Sequence, residues 1–167
     1  TEKYMSSVTS MPQTESEKAI VDHVIEDVLE FVSAELQGKN IRIDLQLASA
    51  ERQVPMHKDE LTQVLMNLMK NAIESLESID KDHRKIMIRS RIVNNGSTAE
   101  TVMVTVEDSG RGVPQELQSK IFDPYFSTKK EGHGIGLSVA RQICSTYDGT
   151  LNVSAATPSQ FEVKIPC

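Results

Sequence analysis

The sequence predicts an α/β fold, a two-layer sandwich in which a mixed, roughly five-stranded sheet carries about three helices on one face. Three observations predict it. Apolar residues recur at helical spacing in three long segments, they alternate with polar ones in five short segments, and the two kinds interleave along one chain of 167 residues. That length suffices for one domain with a real core.

Taken in order, Thr1 to about Glu15 is polar, rich in Ser and Thr and broken by Pro12. It reads as a linker, or the remnant of a preceding helix, and residues 17–167 as the domain. From Glu17 to Gln37 the residues Ile20, Val24, Ile25, Val28, Leu29, Val32 and Leu36 keep helical spacing, and Gly38 supplies the stop. Ile41, Ile43, Leu45 and Leu47 then alternate with Arg42, Asp44 and Gln46, as in a strand with one buried face. A second helix is predicted from about Lys58 to Ile79, with Leu61, Val64, Leu65, Leu68, Met69, Ala72, Ile73 and Leu76 inward. Further strands fit Lys85–Val93, Thr101–Glu107, Gly149–Ala155 and Gln160–Ile165, with Asn94-Asn95-Gly96 turning the first into the second. The last helix is predicted over about Gly134–Tyr147. The other face of the sheet is left open, as if to a partner domain.

Composition narrows the function. A net charge of −6 argues against nucleic acid and against membrane contact by this domain itself. Cys144 and Cys167 form no disulfide framework or paired metal motif, which points to a reducing, cytoplasmic setting. No apolar run nears the roughly 20 residues that span a bilayer. His23, His57, His83 and His133 lack metal-ligand spacing, and surface or lid positions are expected for them. Starting on Thr, the chain reads as an excised fragment.

Three clusters carry chemistry. In Gly132-His133-Gly134-Ile135-Gly136-Leu137, glycine at every second position precedes a helix, which suits either a phosphate approaching bare backbone or a plain hinge. Lys129 stands just before it as a further phosphate contact. On the second helix Glu60, Gln63, Asn67, Lys70, Asn71 and Glu74 share one stripe. For Glu60 and Glu74 a solvated face is the expectation. Two asparagines in mid-helix cost helix propensity that a solvated face does not require, whereas an amide oxygen suits Mg²⁺. Third, Asp108-Ser109-Gly110-Arg111-Gly112 closes a strand. It is either an ordinary turn or a purine site, with the carboxylate taking the exocyclic amine of adenine. Tyr125 and Phe126 read as core or loop anchors. The glycine run lacks the Lys-Ser/Thr ending of a P-loop and follows no strand as a dinucleotide fingerprint does.

The segments LTQVLMNLMKNAIESL, VEDSGRGVP and IFDPYFSTKKEGHGIGLSVARQI, in that order, resemble the asparagine, first glycine, phenylalanine and second glycine boxes of sensor histidine kinases. Those boxes form the ATP-binding catalytic domain of such kinases, within a superfamily shared with gyrase, mismatch-repair and chaperone ATPases. FDPYFSTKKEGHGIGL is most similar to the nitrogen-regulation type. The resemblance implies ATP and Mg²⁺ as cofactors, with Asn71 as metal ligand and Asn67 and Lys70 as catalytic groups beside the phosphates. It implies Asp108 as adenine reader, Gly110 and Gly112 under the base, and Phe122 and Phe126 at the edge of an ATP lid. Gly132 to Leu137 would form its phosphate side, a lid expected to be mobile over about Ser127–His133 without nucleotide.

It also implies phosphoryl transfer to a histidine on a dimerisation domain of the same parent kinase, followed by relay to a response-regulator receiver domain. No His-Glu-x-x-x-x-Pro box occurs in this sequence, so that histidine is expected on a separate domain. Two departures bear on the lid and the adenine wall: His133 stands where threonine is usual, and Ala156–Gln160 lacks glycines. Two rival readings are a nucleotide-binding regulator of the anti-sigma-factor type and a gyrase-like hydrolase. The second needs a glutamate base where Asn67 stands, and an amide takes no proton from water.

Overall fold

The computed structural model describes residues 18–94, 96, 100–128, 134–154 and 158–167. The linker assigned to residues 1–16 therefore lies outside the described residues, as do Lys129, Gly132 and His133. In chain order the elements are β1 Lys18–Ile20, α1 Val21–Gly38, β2 Arg42–Ala48, β3 Gln53–His57, α2 Lys58–Ser75, β4 Lys85–Asn94, β5 Glu100–Asp108, α3 Gly136–Thr146, β6 Thr150–Val153 and β7 Gln160–Pro166.

Five strands form one sheet in the order β2-β4-β5-β7-β6. The β2–β4 pair is parallel and the other three are antiparallel, so the sheet is mixed as expected. The β4–β5 hairpin closes with Asn94 opposite Glu100. Ile86 and Ile88, Val102, Val104 and Val106, and Phe161, Val163 and Ile165 point to one side and are buried under the three helices. From α1 come Val24, Ile25, Val28, Val32 and Leu36, and from α2 Leu61, Val64, Leu65, Leu68, Met69, Ala72 and Ile73. Each such aliphatic side chain contributes about 1.5–3 kcal/mol by leaving water. The opposite face of the sheet carries ion pairs, Lys85–Asp44 at 2.5 Å, Arg89–Glu107 at 3.7 Å and Lys164–Glu162 at 2.7 Å.

The structure corrects the sequence expectation at four places. Lys18–Ile20 is not the first turn of α1 but a strand, paired antiparallel with β3 in a second, two-stranded sheet. Strand β3 is not among the predicted strands; Pro55 has no N–H for a ladder, and the register skips between Lys18↔His57 and Ala19↔Val54, leaving Pro55 in a bulge. Helix α2 ends at Ser75, and a single 3-10 turn, Leu76–Ser78, replaces its predicted last turn. Helix α3 starts at Gly136 because Gly134 has φ of +66°, which no right-handed helix accepts.

Candidate active site

The site is built along one stripe of α2. Alternation on β5 makes Asp108 its last inward residue after Val102, Val104 and Val106, so its carboxylate meets the end of α2 rather than solvent. Asp108 is 2% exposed. Its Oδ1 accepts the Ser75 hydroxyl at 2.7 Å and the Gly110 N–H at 2.9 Å. A buried carboxylate is tolerated only with such donors. A Cβ on Gly110 would lie 2.0 Å from Ser75 Oγ and 2.5 Å from Asp108 Oδ1, so the backbone there leaves no room for a side chain. Gly112 adopts φ of +79°, a left-handed position that lets the loop double back. Ser109 ties the exit of β5 to the start of β4, its hydroxyl donating to His83 O at 2.7 Å and accepting from Lys85 N–H at 2.9 Å.

Two turns earlier on α2, Asn67 faces the start of α3. A Cβ on Gly136 would lie 3.3 Å from Asn67 Oδ1. The residue before the helix is Ile135, which offers no side-chain cap. Helix starts leave N–H groups unpaired, and a residue of this type in place of Ser, Thr, Asp or Asn gives up about 1 kcal/mol. The uncapped start of α3 and the Asn67 amide thus share one spot. Asn71 is half-buried on the same stripe, between Asn67 and Ser75. From Asn67 to Ser75 the helix rises about 12 Å, the length scale of a nucleoside triphosphate.

Other expected residues fall elsewhere. Lys70 is exposed and lines a groove of 250 Å³ between α1 and α2 together with Glu35, Lys39, Glu74 and Glu77, on the α1 side of the asparagine stripe. Phe122 is a core anchor under the loop: it meets Phe161 edge-on at 6.4 Å, and the Arg141 guanidinium sits 4.3 Å above its ring. Phe126 is half-buried, whereas the Tyr125 ring is 79% exposed, so Tyr125 anchors the loop by its main chain alone. Its N–H donates to Gly134 O at 2.9 Å and closes the base of the segment between them. A Cβ on Gly134 would meet the backbone of Tyr125 and Phe126 at 2.5 Å. Leu137 packs partly buried against the core, and Ile135 is 42% exposed.

Sequence reasoning missed Ser75, whose lone hydroxyl at a helix end gives no pattern. It also misread Glu60, expected on a solvated face, which accepts a hydrogen bond from the Tyr147 hydroxyl. That bond to a carboxylate holds the Tyr147 hydroxyl above its ordinary pKa. His57, expected on the surface, is half-buried with its ring edge-on to Tyr147 at 6.1 Å.

A helix stripe running from a buried carboxylate to an uncapped helix start offers polar groups at both ends of one concave strip. Residues 56–167 match the family described as histidine kinase-, DNA gyrase B- and HSP90-like ATPase, and the chain belongs to that family. It is 34% identical over 148 residues to the sensor protein TdiS of Thauera aromatica, covering 87% of this chain and 26% of TdiS. It is 28% identical over 152 residues to the sensory histidine kinase/phosphatase NtrB of Proteus hauseri, covering 87% of this chain and 42% of NtrB. Among solved structures, the catalytic domain of histidine kinase ThkA superposes with a TM-score of 0.77 at 29% identity, over 90% of this chain and 94% of that one. ThkA has also been solved in complex with the response regulator TrrA. The chain therefore corresponds to the ATPase domain of sensor histidine kinases and spans less than half the length of TdiS and NtrB. Among the described residues no helix is long and apolar enough to cross a membrane.

Proposed function

We propose that this domain binds Mg-ATP along α2 and delivers the γ-phosphoryl group to a histidine on a separate dimerisation domain of the same parent kinase, for relay to a response-regulator aspartate. One observation carries the reading: Asp108 at one end of the α2 stripe and the uncapped start of α3 beside Asn67 at the other bracket the length of one nucleotide.

Asp108 takes the exocyclic amine of adenine while Ser75 and the Gly110 N–H hold its carboxylate in place, and a carboxylate there rejects the carbonyl of guanine. Asn67 and the first N–H groups of α3 bind and orient the phosphates, favoured by the positive end of the helix dipole. The donor set suits Mg²⁺ as a partner of the phosphates. Asn71 offers a single neutral oxygen, and among the described residues no three His, Cys, Asp or Glu side chains converge on one point. When bound, the metal supplies charge neutralisation across the phosphate oxygens. Lys70, on a flexible four-carbon stem at the edge of the stripe, adds a mobile positive charge. Positioning provides most of the rate, since phosphoryl transfer asks little covalent chemistry of the protein. Lys129, His133 and the neighbouring glycines belong to the lid in this reading, which leaves them to function from the phosphate side. The nearby rival, a hydrolase, lacks its base, because Asn67 occupies that position and cannot take a proton from water.

The test is direct. Given γ-labelled ATP and Mg²⁺, the chain should bind nucleotide and label an added dimerisation domain on histidine, giving an acid-labile, base-stable product. Steady phosphate release without labelled domain would point to a hydrolase instead.

A further inference from the structure

The inner face of α3 is nearly smooth. Its fully buried residues are Ala140 and Cys144, with Leu137 and Ile143 only partly covered. Two small side chains interlock weakly with the ridges of a neighbouring helix, so packing alone sets the slide of α3 along α2 poorly. Yet the start of α3 must stand against Asn67 to within a fraction of an ångström if it is to serve a phosphate.

A close approach at one end and a hydrogen bond at the other close this interface. At one end Gly136 abuts Asn67. At the other, Tyr147 follows directly on α3, and its hydroxyl donates to Glu60 Oε2 in the first turn of α2. The Tyr147 ring is wedged edge-on against His57, which immediately precedes α2. The backbone around Tyr147 is itself fixed: its N–H and that of Gly149 both donate to Cys144 O, at 3.1 and 2.9 Å. Glu60 and Asn67 lie on one stripe two turns apart, about 10 Å along the axis. A one-residue slide of α3 moves its start by about 1.5 Å and would break the Tyr147–Glu60 bond at the same time.

We propose that Glu60 and Tyr147 form a positioning clamp: their hydrogen bond sets the slide and rotation of α3 on α2 and so holds the uncapped start of α3 at Asn67, where the phosphates bind. Neither residue touches the nucleotide. The proposal rests on the nucleotide reading above, and it predicts a split. The adenine end, Asp108 and Ser75, hangs on β5 and the last turn of α2 and does not depend on α3. Loosening the clamp therefore weakens the hold on phosphates and spares the hold on the base.

Titration calorimetry with Mg-ATP and with adenosine, on the whole chain and its variants, reads that split. Tyr147→Phe and Glu60→Ala should each weaken Mg-ATP by about tenfold, the scale of one charge-assisted hydrogen bond, and leave adenosine affinity unchanged. Glu60→Gln keeps an acceptor oxygen and should stay within about twofold of the parent. The double variant Tyr147→Phe/Glu60→Ala should be no weaker than either single one. Equal losses for Mg-ATP and adenosine, or no loss at all, would overturn the clamp. Failure of the parent chain itself to bind Mg-ATP would instead overturn the nucleotide reading. In that event hydrogen exchange without ligand still decides the clamp: in Tyr147→Phe, faster exchange at residues 139–142, the first hydrogen-bonded amides of α3, supports it, and a change confined to residues 144–149 sinks it.

Discussion

The Ser75 hydroxyl donates to Asp108 Oδ1 at 2.7 Å, joining the last residue of α2 to the last residue of β5. The same oxygen takes the Gly110 N–H, so two donors fix the carboxylate before any ligand arrives. Asp108→Asn replaces an acceptor-only group by one that also donates, which suits the guanine carbonyl as well as the adenine amine. ATP affinity should fall about 10- to 100-fold and the preference for ATP over GTP should vanish. Ser75→Ala removes one of the supporting bonds and should cost about fivefold in ATP affinity with the preference retained. Competition titrations with the two nucleotides check both.

Gly110→Ala tests how tightly that corner is packed. Its new Cβ would lie 2.0 Å from Ser75 Oγ and 2.5 Å from Asp108 Oδ1, so the serine must turn away and the carboxylate must shift. A loss of about 1–3 kcal/mol is expected from overpacking, read as a lower urea midpoint at unchanged slope. Adding Ser75→Ala removes the nearer atom and leaves the clash with Asp108, so the double variant should recover only part of the loss.

Most of this architecture is legible in the sequence where one periodicity runs long enough. The inward residues of α1 and α2, and the alternation in β4, β5 and β7, are each dictated by a single buried face. The small β1–β3 sheet is hidden because Ile20 also fits the helical spacing of α1, and because Pro55 argues against a strand that a bulge rescues. In the site, Asn67 and Asn71 stand out as residues costly to place in mid-helix, and Asp108 only through the glycine motif that follows it. Ser75, Glu60 and Tyr147 do not, since a serine, a glutamate and a tyrosine near helix ends are ordinary residues. Only the approach of α2 to β5 and to α3 gives them partners.

Asn71→Ala separates metal from base. If the Asn71 amide is a ligand, the variant should bind ATP about tenfold more weakly in Mg²⁺ and equally well in EDTA, the loss being that of one interaction with an ion. Asp108→Asn should lose affinity in both conditions. An Asn71→Ala chain with unaltered magnesium dependence would remove the ligand role.

Cys144 is fully buried in α3, and burial pushes its thiol up to about 11 from an ordinary 9.0. The neutral thiol is thus the form the fold favours. Its contribution is fully present below about pH 9 and is lost as the pH rises from there through about 11, because the unfolded chain gives up the proton first. Urea midpoints should therefore fall across that window, and less so in Cys144→Ala. Cys167 is exposed, so iodoacetamide at pH 8 should label Cys167 in the native chain and reach Cys144 only in urea.

The last prediction concerns His23, which is exposed near the start of α1 and has Asp22 as its chain neighbour, superficially the imidazole and carboxylate of a phosphoacceptor. The carboxylate is engaged elsewhere. Asp22 Oδ1 accepts the hydroxyls of Ser49 and Ser90 at 2.5 Å each, and Oδ2 accepts the Ser49 N–H at 3.3 Å. Ser49 and Ser90 are buried, and Ser90 in turn accepts the Ala48 N–H at 3.0 Å, so Asp22 is a staple from α1 to the end of β2 and the middle of β4. It points into the fold while His23 points out, and a histidine without a neighbouring carboxylate to orient it and take its proton is a poor acceptor. Position disfavours it too. Ser90 lies four residues along β4 from Ile86, the partner of Asp108, so the staple and the adenine end of the site are about 13 Å apart along the strand. With γ-labelled ATP and Mg²⁺, the chain alone should therefore stay unlabelled on His23, and His23→Ala should leave transfer to an added dimerisation domain unchanged. Asp22→Ala should leave two buried hydroxyls without their acceptor and cost about 2–5 kcal/mol in urea unfolding. Stoichiometric base-stable label on His23 would show that α1 reaches the site after all.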